Sequence, residues 1–373
     1  MGQKKERESG LELLRILLML QVIFLHICCY GTYTEFGTKA GGVHSLLYWF
    51  VMMLSRTPVY MYIVIMGYFM INKDLTLKDS FQKIKSIYLV IIFYSVGIWA
   101  ILAIAGQLPF SWADRFANVY KPANIVRAFL PITTRSWSFL TSYILVLFFA
   151  PFINRGLKDI PKRTYQILVG VLFFVFSLWI LFSIMEPTKG IISTHKVVNN
   201  EGGKSLYGML FMYILGGYVR RFAPHYEKAK FRYLVMAFAL AALNMLLVYK
   251  LPGYKSDAMR NDNPISIILG IMLLMFFKDL KFKSKVVNTI AKHNIGVYII
   301  HENQYVRSII WNNIITMNIA TFYATNWYPL KLLGIGIGVF VVCALLDAVR
   351  EQLFRLIAYC WNKRHSKFTA TNI

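Results

Sequence analysis

Apolar stretches of about twenty residues recur along the chain, each closed at both ends by polar and charged clusters. A helix crossing the hydrocarbon core of a bilayer needs roughly 20 mostly apolar residues. The pattern predicts ten such helices, at about 11–31, 45–71, 86–106, 137–154, 164–185, 205–222, 233–250, 264–277, 286–303 and 331–349. The second is long and is interrupted at Ser55-Arg56-Thr57-Pro58, where proline removes a backbone donor and bends the helix. The eighth is short and begins after Asn263-Pro264. The predicted fold class is all-α, a polytopic membrane bundle forming one domain over 1–373, with a short tail at 350–373 and no visible repeat.

Charge orients the bundle. Of the 41 Lys and Arg, 25 fall before the first span and after every second one, and 11 fall in the alternate loops. Cytoplasmic loops carry the excess of Lys and Arg, so both termini are expected to be cytoplasmic. The longer loops, 107–136, 186–204 and 304–330, then face outward. They carry Phe110, Trp112, Tyr120, Trp311, Phe322, Tyr323, Trp327 and Tyr328, which fit an interfacial aromatic belt or a platform on which sugar rings stack.

Composition agrees. Hydrophobic residues make up 57% of the chain and charged residues 16%, against about 25% charged in an ordinary soluble domain. Disorder is excluded by the same hydrophobicity. A net charge of +24 on a soluble protein would suggest nucleic acid. Here the basic residues sit in short inner loops, which points to anionic membrane lipids and against nucleic acid. Cys28, Cys29, Cys343 and Cys360 lack metal-ligand spacing and read as small buried hydrophobes. No cleavable signal, Walker loop, dinucleotide glycine pattern, His-Glu-x-x-His or nucleophile elbow is present, and no metal is expected. The expected location is a cell membrane, of bacterial plasma-membrane type.

Ionisable groups inside spans are costly and ask for a partner or a function. The first span reads Leu11-Glu12-Leu13-Leu14-Arg15, then a nearly pure apolar run, then His26. Eleven residues at 100° each bring Arg15 and His26 onto one face, about 16 Å apart along the axis. Glu12 lies one turn before Arg15, placed to orient its guanidinium. This spacing suits an extended donor: Arg15 would hold a phosphate at the inner mouth, and His26 would act as general base at the far end. The alternative has Arg15 snorkelling to lipid and His26 bonded to a backbone carbonyl.

Arg56 is too deep to snorkel and is expected to face a polar cavity or to pair with Glu302 or Glu12. His301 and Glu302 close the ninth span. Adjacent helical residues point about 100° apart, so they form one site only if the helix frays there. Lys292 and His293 read as structural, and His44 and His195 as loop residues without a role.

Five stretches, in order, resemble the acyltransferase 3 family. They are Glu12-Leu13-Leu14-Arg15-Ile16 with ten residues between Arg15 and His26; Arg56-Thr57-Pro58-Val59-Tyr60-Met61 through Met66-Gly67-Tyr68-Phe69-Met70; Lys83-Ile84-Lys85; Trp137-Ser138-Phe139-Leu140 through Ala150-Pro151-Phe152-Ile153-Asn154; and Gly296 to Glu302. Met66 stands where the family usually has a serine, and Lys83 and Lys85 stand in a stretch that is usually richer in arginine. The resemblance covers residues 9 to 349. It implies transfer of an acyl group, usually acetyl, from cytoplasmic acyl-CoA to a hydroxyl of an extracytoplasmic glycan or polyprenyl-linked sugar. The resemblance implies that His26 is essential, as base or as acyl acceptor; the expected catalytic set adds Arg56 on the oxyanion and His301 and Glu302 orienting the acceptor or the base, with Arg15, Lys83 and Lys85 toward acetyl-CoA. A rival from another class is an exporter or flippase of a lipid-linked sugar. It would favour two matched broken helices, and the sequence has one clear break.

Overall fold

A computed structural model describes residues 8–31, 43–107, 118–184, 188, 191, 200–226, 230–311 and 327–370. Phe110, Trp112, Phe322 and Tyr323 of the expected aromatic belt, and His195, lie outside the described residues. The described chain is helical throughout, without strands. The helices are α1 (Gly10–His26), α2 (Val43–Leu54), α3 (Pro58–Met70), α4 (Leu77–Ala105), α5 (Pro122–Phe129), α6 (Ser138–Gly156), α7 (Lys162–Phe173), α8 (Trp179–Ile184), α9 (Leu206–Phe222), α10 (Lys230–Lys250), α11 (Lys255–Ala258), α12 (Pro264–Lys278), α13 (Lys285–Ala291), α14 (Asn294–His301), α15 (Gln304–Ser308) and α16 (Tyr328–Ala370).

Among the described residues, seven stretches are long and apolar enough to cross a membrane: Gly10–Tyr30, Val43–Met70, Leu77–Ala105, Ser138–Gly156, Lys162–Ser183, Lys230–Lys250 and Tyr328–Lys363. The chain is therefore a multi-pass membrane protein. The other three expected spans correspond to α9, α12 and the pair α13 and α14, which are shorter. At 1.5 Å per residue, the 15 residues of α12 reach only about 22 Å. Most of α9 and α12 is buried in the bundle, where neighbouring protein rather than lipid surrounds their ends.

Local sequence sets the breaks. Pro58 occupies the first turn of α3, where its missing N–H is not needed, and Ser55, Arg56 and Thr57 form a non-helical link between α2 and α3. Asn263 caps α12 through its side-chain oxygen, followed by Pro264. Thr76 and Asp79 form a reciprocal capping box at the start of α4. The ninth expected span is not one helix: it turns at Lys292 and His293, where the His293 ring is drawn to Asp347 of α16. The expected tail from 350 is not separate from the last span. Without a Gly or Pro after Gly338, α16 runs unbroken to Ala370.

Packing follows the membrane rule that small residues let backbones approach. On α3 and α9 the close points are Gly67 against the Tyr213 carbonyl and Gly216 against the Val64 carbonyl, where a Cβ would collide with backbone. One apolar core gathers α3, α9 and α12, with parts of α1 and α6. A second gathers parts of α1, α4, α6, α14 and α16. The outer apolar faces, such as Ile101 and Ile104 of α4 or Leu345 and Val349 of α16, are exposed, as a lipid-facing surface requires. The buried Asp347 carboxylate ties the second core together. It accepts hydrogen bonds from Tyr94 (2.8 Å) and from Arg350 (2.8 and 3.1 Å), and it holds His293 Nδ1 at 2.7 Å.

Candidate functional site

α1 ends at His26 and continues as a widened π turn over Ile27–Gly31. α14 ends at His301, and Glu302 is its C-terminal cap residue. The helix stops where the two residues meet His26, so both reach it despite being neighbours in sequence. His26 Nδ1 lies 3.2 Å from His301 Nε2 and 3.1 Å from Glu302 Oε2. His301 is fully buried, and its Nδ1 donates to the Val297 carbonyl at 2.6 Å. That bond leaves His301 Nε2 as an acceptor. The proton on His26 is then at Nδ1, directed at His301 with Glu302 beside it, and His26 Nε2 keeps its lone pair. Trp311, Tyr30 and His301 pack around the His26 ring. Arg307 binds the second Glu302 oxygen at 3.0 Å and lies over the Tyr30 ring.

A cavity of about 290 Å³ opens between α1, α3, α4, α6 and α14. Its lining includes the cations Arg15, Lys73 and Lys83, with Ser86, Leu140 and Tyr298, and with Asn294 beside the Tyr62 hydroxyl that bonds the Arg15 carbonyl. The Tyr298 ring sits 6.0 Å from that of His301, centre to centre. The cavity is therefore lined by three cations and by a side chain that packs against the histidine pair. Glu12, buried, accepts from Arg15 Nη1 at 2.7 Å, the contact expected from one-turn spacing, and Tyr62 donates to the Arg15 carbonyl at 2.7 Å.

The structure thus brings His26, His301 and Glu302 together, and puts Arg15 and Lys83 on one cavity. Lys85 is exposed and is not among the residues lining that cavity. Arg56 pairs with neither expected carboxylate: Glu12 pairs with Arg15, and Glu302 with Arg307. Trp311 and Tyr328, expected in a belt or platform, are buried: Trp311 stands against His26 and Tyr328 against His44. Tyr120 and Trp327 are exposed. Sequence reasoning missed Tyr298, which lies one helical turn before His301 and so on its face, and Lys73, Tyr30 and Arg307, for which only proximity in the fold gives a signal.

His26 Nδ1, His301 Nε2 and a Glu302 oxygen lie within 4.8 Å of one another, a set able to hold a metal ion. No sequence spacing announces it, since 275 residues separate the histidines. Its electrostatics are unfavourable to a dication. Arg307 already binds Glu302, and Arg307, Lys204 and Arg56 all act electrostatically on His26.

Comparison with sequence families places the chain. The acyltransferase 3 family, described as an acyltransferase domain, matches residues 8–348. The protein belongs to this family of acyltransferases. No curated protein and no solved structure gives a match.

Proposed function

We propose that the protein is an acetyl-CoA-dependent O-acetyltransferase of the cell membrane, acting on a hydroxyl of an extracytoplasmic or lipid-linked polysaccharide. In this scheme the chain spans a bacterial plasma membrane ten times with both termini in the cytoplasm. The observation that carries it is the cavity: Lys73, Lys83 and Arg15 line it, and its Tyr298 wall packs against His301, the partner of His26. The acyl-CoA phosphates meet the cations, the pantetheine arm follows the apolar wall between α1 and α4, and the thioester reaches the histidines. The roughly 16 Å between Arg15 and His26 along α1 separates the two ends of such a donor.

The acceptor hydroxyl oxygen attacks the thioester carbon while its proton passes to His26 Nε2. His301 and Glu302 hold His26 in the tautomer that leaves this nitrogen free, and Glu302 stabilises the imidazolium that forms. The tetrahedral intermediate collapses as the C–S bond breaks, and the CoA thiolate leaves with the proton returned by His26. Product ester and CoA thiol account for every atom.

Inside-out vesicles containing the protein, given acetyl-labelled acetyl-CoA outside and a competent glycan within, test this. Label on lumenal glycan that requires His26 is the expected result. Label retained on the protein would make His26 an acyl carrier instead of a base. Equal label from wild type and His26→Ala, or none from either, would remove His26 from the chemistry and favour an exporter of lipid-linked sugar.

A further inference from the structure

Arg56 lies in the link between α2 and α3, 8% exposed, amid apolar helices. Its guanidinium contacts two sulfur atoms: Nη2 is 2.9 Å from Met52 Sδ and 3.8 Å from Cys29 Sγ. Its Nε is buried and has no hydrogen-bond partner. Among the described residues no carboxylate pairs with it. Sulfur is a weak acceptor, so five strong donors and a full charge are left almost unspent. A buried charge without a partner is among the most costly arrangements a fold contains.

The same corner of the bundle is rich in cations. Arg56 touches Cys29, three residues past His26, and Arg307 and Lys204 also act on His26; Glu302 pairs with Arg307 and not with Arg56. Lys204 is exposed and the Arg307 side chain is 37% exposed, so these two cations are open to an entering molecule, while Arg56 itself is buried. A neutral sugar hydroxyl needs none of this charge. The oxyanion of acyl transfer needs one donor for the lifetime of an intermediate. A permanent anion explains both the unpaired guanidinium and the surplus charge, since the planar guanidinium fork fits a carboxylate or a phosphate with two parallel bonds.

We propose that Arg56, supported by Lys204 and Arg307, forms an anion subsite on the acceptor side of His26, and that the acceptor is an acidic glycan whose carboxylate or phosphate docks there. The acceptor role rests on the acyl transfer proposed above; the anion site itself does not.

The test uses the full-length protein in detergent, with glucuronate, glycerol 3-phosphate and glucose as probes and sodium chloride of matched ionic strength as control. At least one anion is expected to raise the melting temperature in a saturable way, while glucose and chloride do not. The anion that does so separates carboxylate from phosphate. Arg56→Gln should weaken that binding at least about tenfold, and Arg56→Lys, which keeps the charge and loses the fork, should fall between. If Arg56→Gln does not fold, Arg56→Lys carries the comparison. Neither anion exceeding chloride, or an unchanged response in the variants, would overturn the subsite.

In the transfer assay, Arg56→Gln should raise KM several-fold more for a glucuronate-containing oligosaccharide than for a glucose oligosaccharide. An equal fall in kcat for both acceptors would assign Arg56 to the oxyanion and refute the proposal. Anion binding that depends on Arg56, without any His26-dependent transfer, would keep the subsite and reject the acyltransferase function.

Discussion

Glu302→Gln removes a charge from beside His26 and changes almost nothing in shape. In the wild type, Glu302 Oε2 stands 3.1 Å from His26 Nδ1. When His26 accepts a proton at Nε2, a cation forms against that carboxylate. Two unit charges at about 4 Å interact by about 4 kcal/mol at an effective dielectric near 20. Arg307, 3.0 Å from the other Glu302 oxygen, competes for the carboxylate and offsets roughly half, which leaves about 2 kcal/mol of transition-state stabilisation. That corresponds to a rate loss of roughly 30-fold. The loss is expected in kcat alone, because Glu302 is not part of the donor cavity. The assay follows CoA thiol release in membranes with acceptor present, over a range of acetyl-CoA concentrations. Activity within twofold of wild type, or a loss expressed as a higher KM for acetyl-CoA, would refute the placement of Glu302 behind His26.

Lys83→Ala is expected to raise KM for acetyl-CoA several-fold, while Lys85→Ala leaves it unchanged, because Lys83 lines the cavity and Lys85 does not; equal effects in steady-state kinetics would contradict that cavity as the donor site. Gly216→Ala should lower the melting temperature in detergent by an amount corresponding to about 1–3 kcal/mol, since the added carbon meets the Val64 carbonyl and parts α3 from α9. Prolonged treatment with a metal chelator should leave the transfer rate unchanged, given the cations around the histidine pair; a loss restored by zinc would make His26, His301 and Glu302 metal ligands.

Much of the architecture was legible because membrane helices are written locally. An apolar run of sufficient length needs no tertiary contact to be recognised, and the break at Ser55–Pro58 follows from proline itself. Helix lengths were less legible. α9 and α12 are short because the bundle surrounds them, and α13 and α14 divide because His293 finds Asp347 on a helix 54 residues away. The site divides in the same way. The shared face of Arg15 and His26, and the Glu12 contact, follow from helical periodicity within α1. The surroundings of Arg56 do not, because sequence offers acidic candidates without showing that each is already engaged.

The sequence by itself determined an all-helical membrane chain, its family, and the residues whose burial demands a purpose. Only the tertiary structure decided that His301 and Glu302 both meet His26. Helical geometry points neighbours apart, and it is the end of α14 beside His26 that turns both toward one imidazole. The same holds for the cavity, whose walls come from five helices. Periodicity fixes which residues share a face of one helix, but which faces meet is settled by packing across the whole bundle.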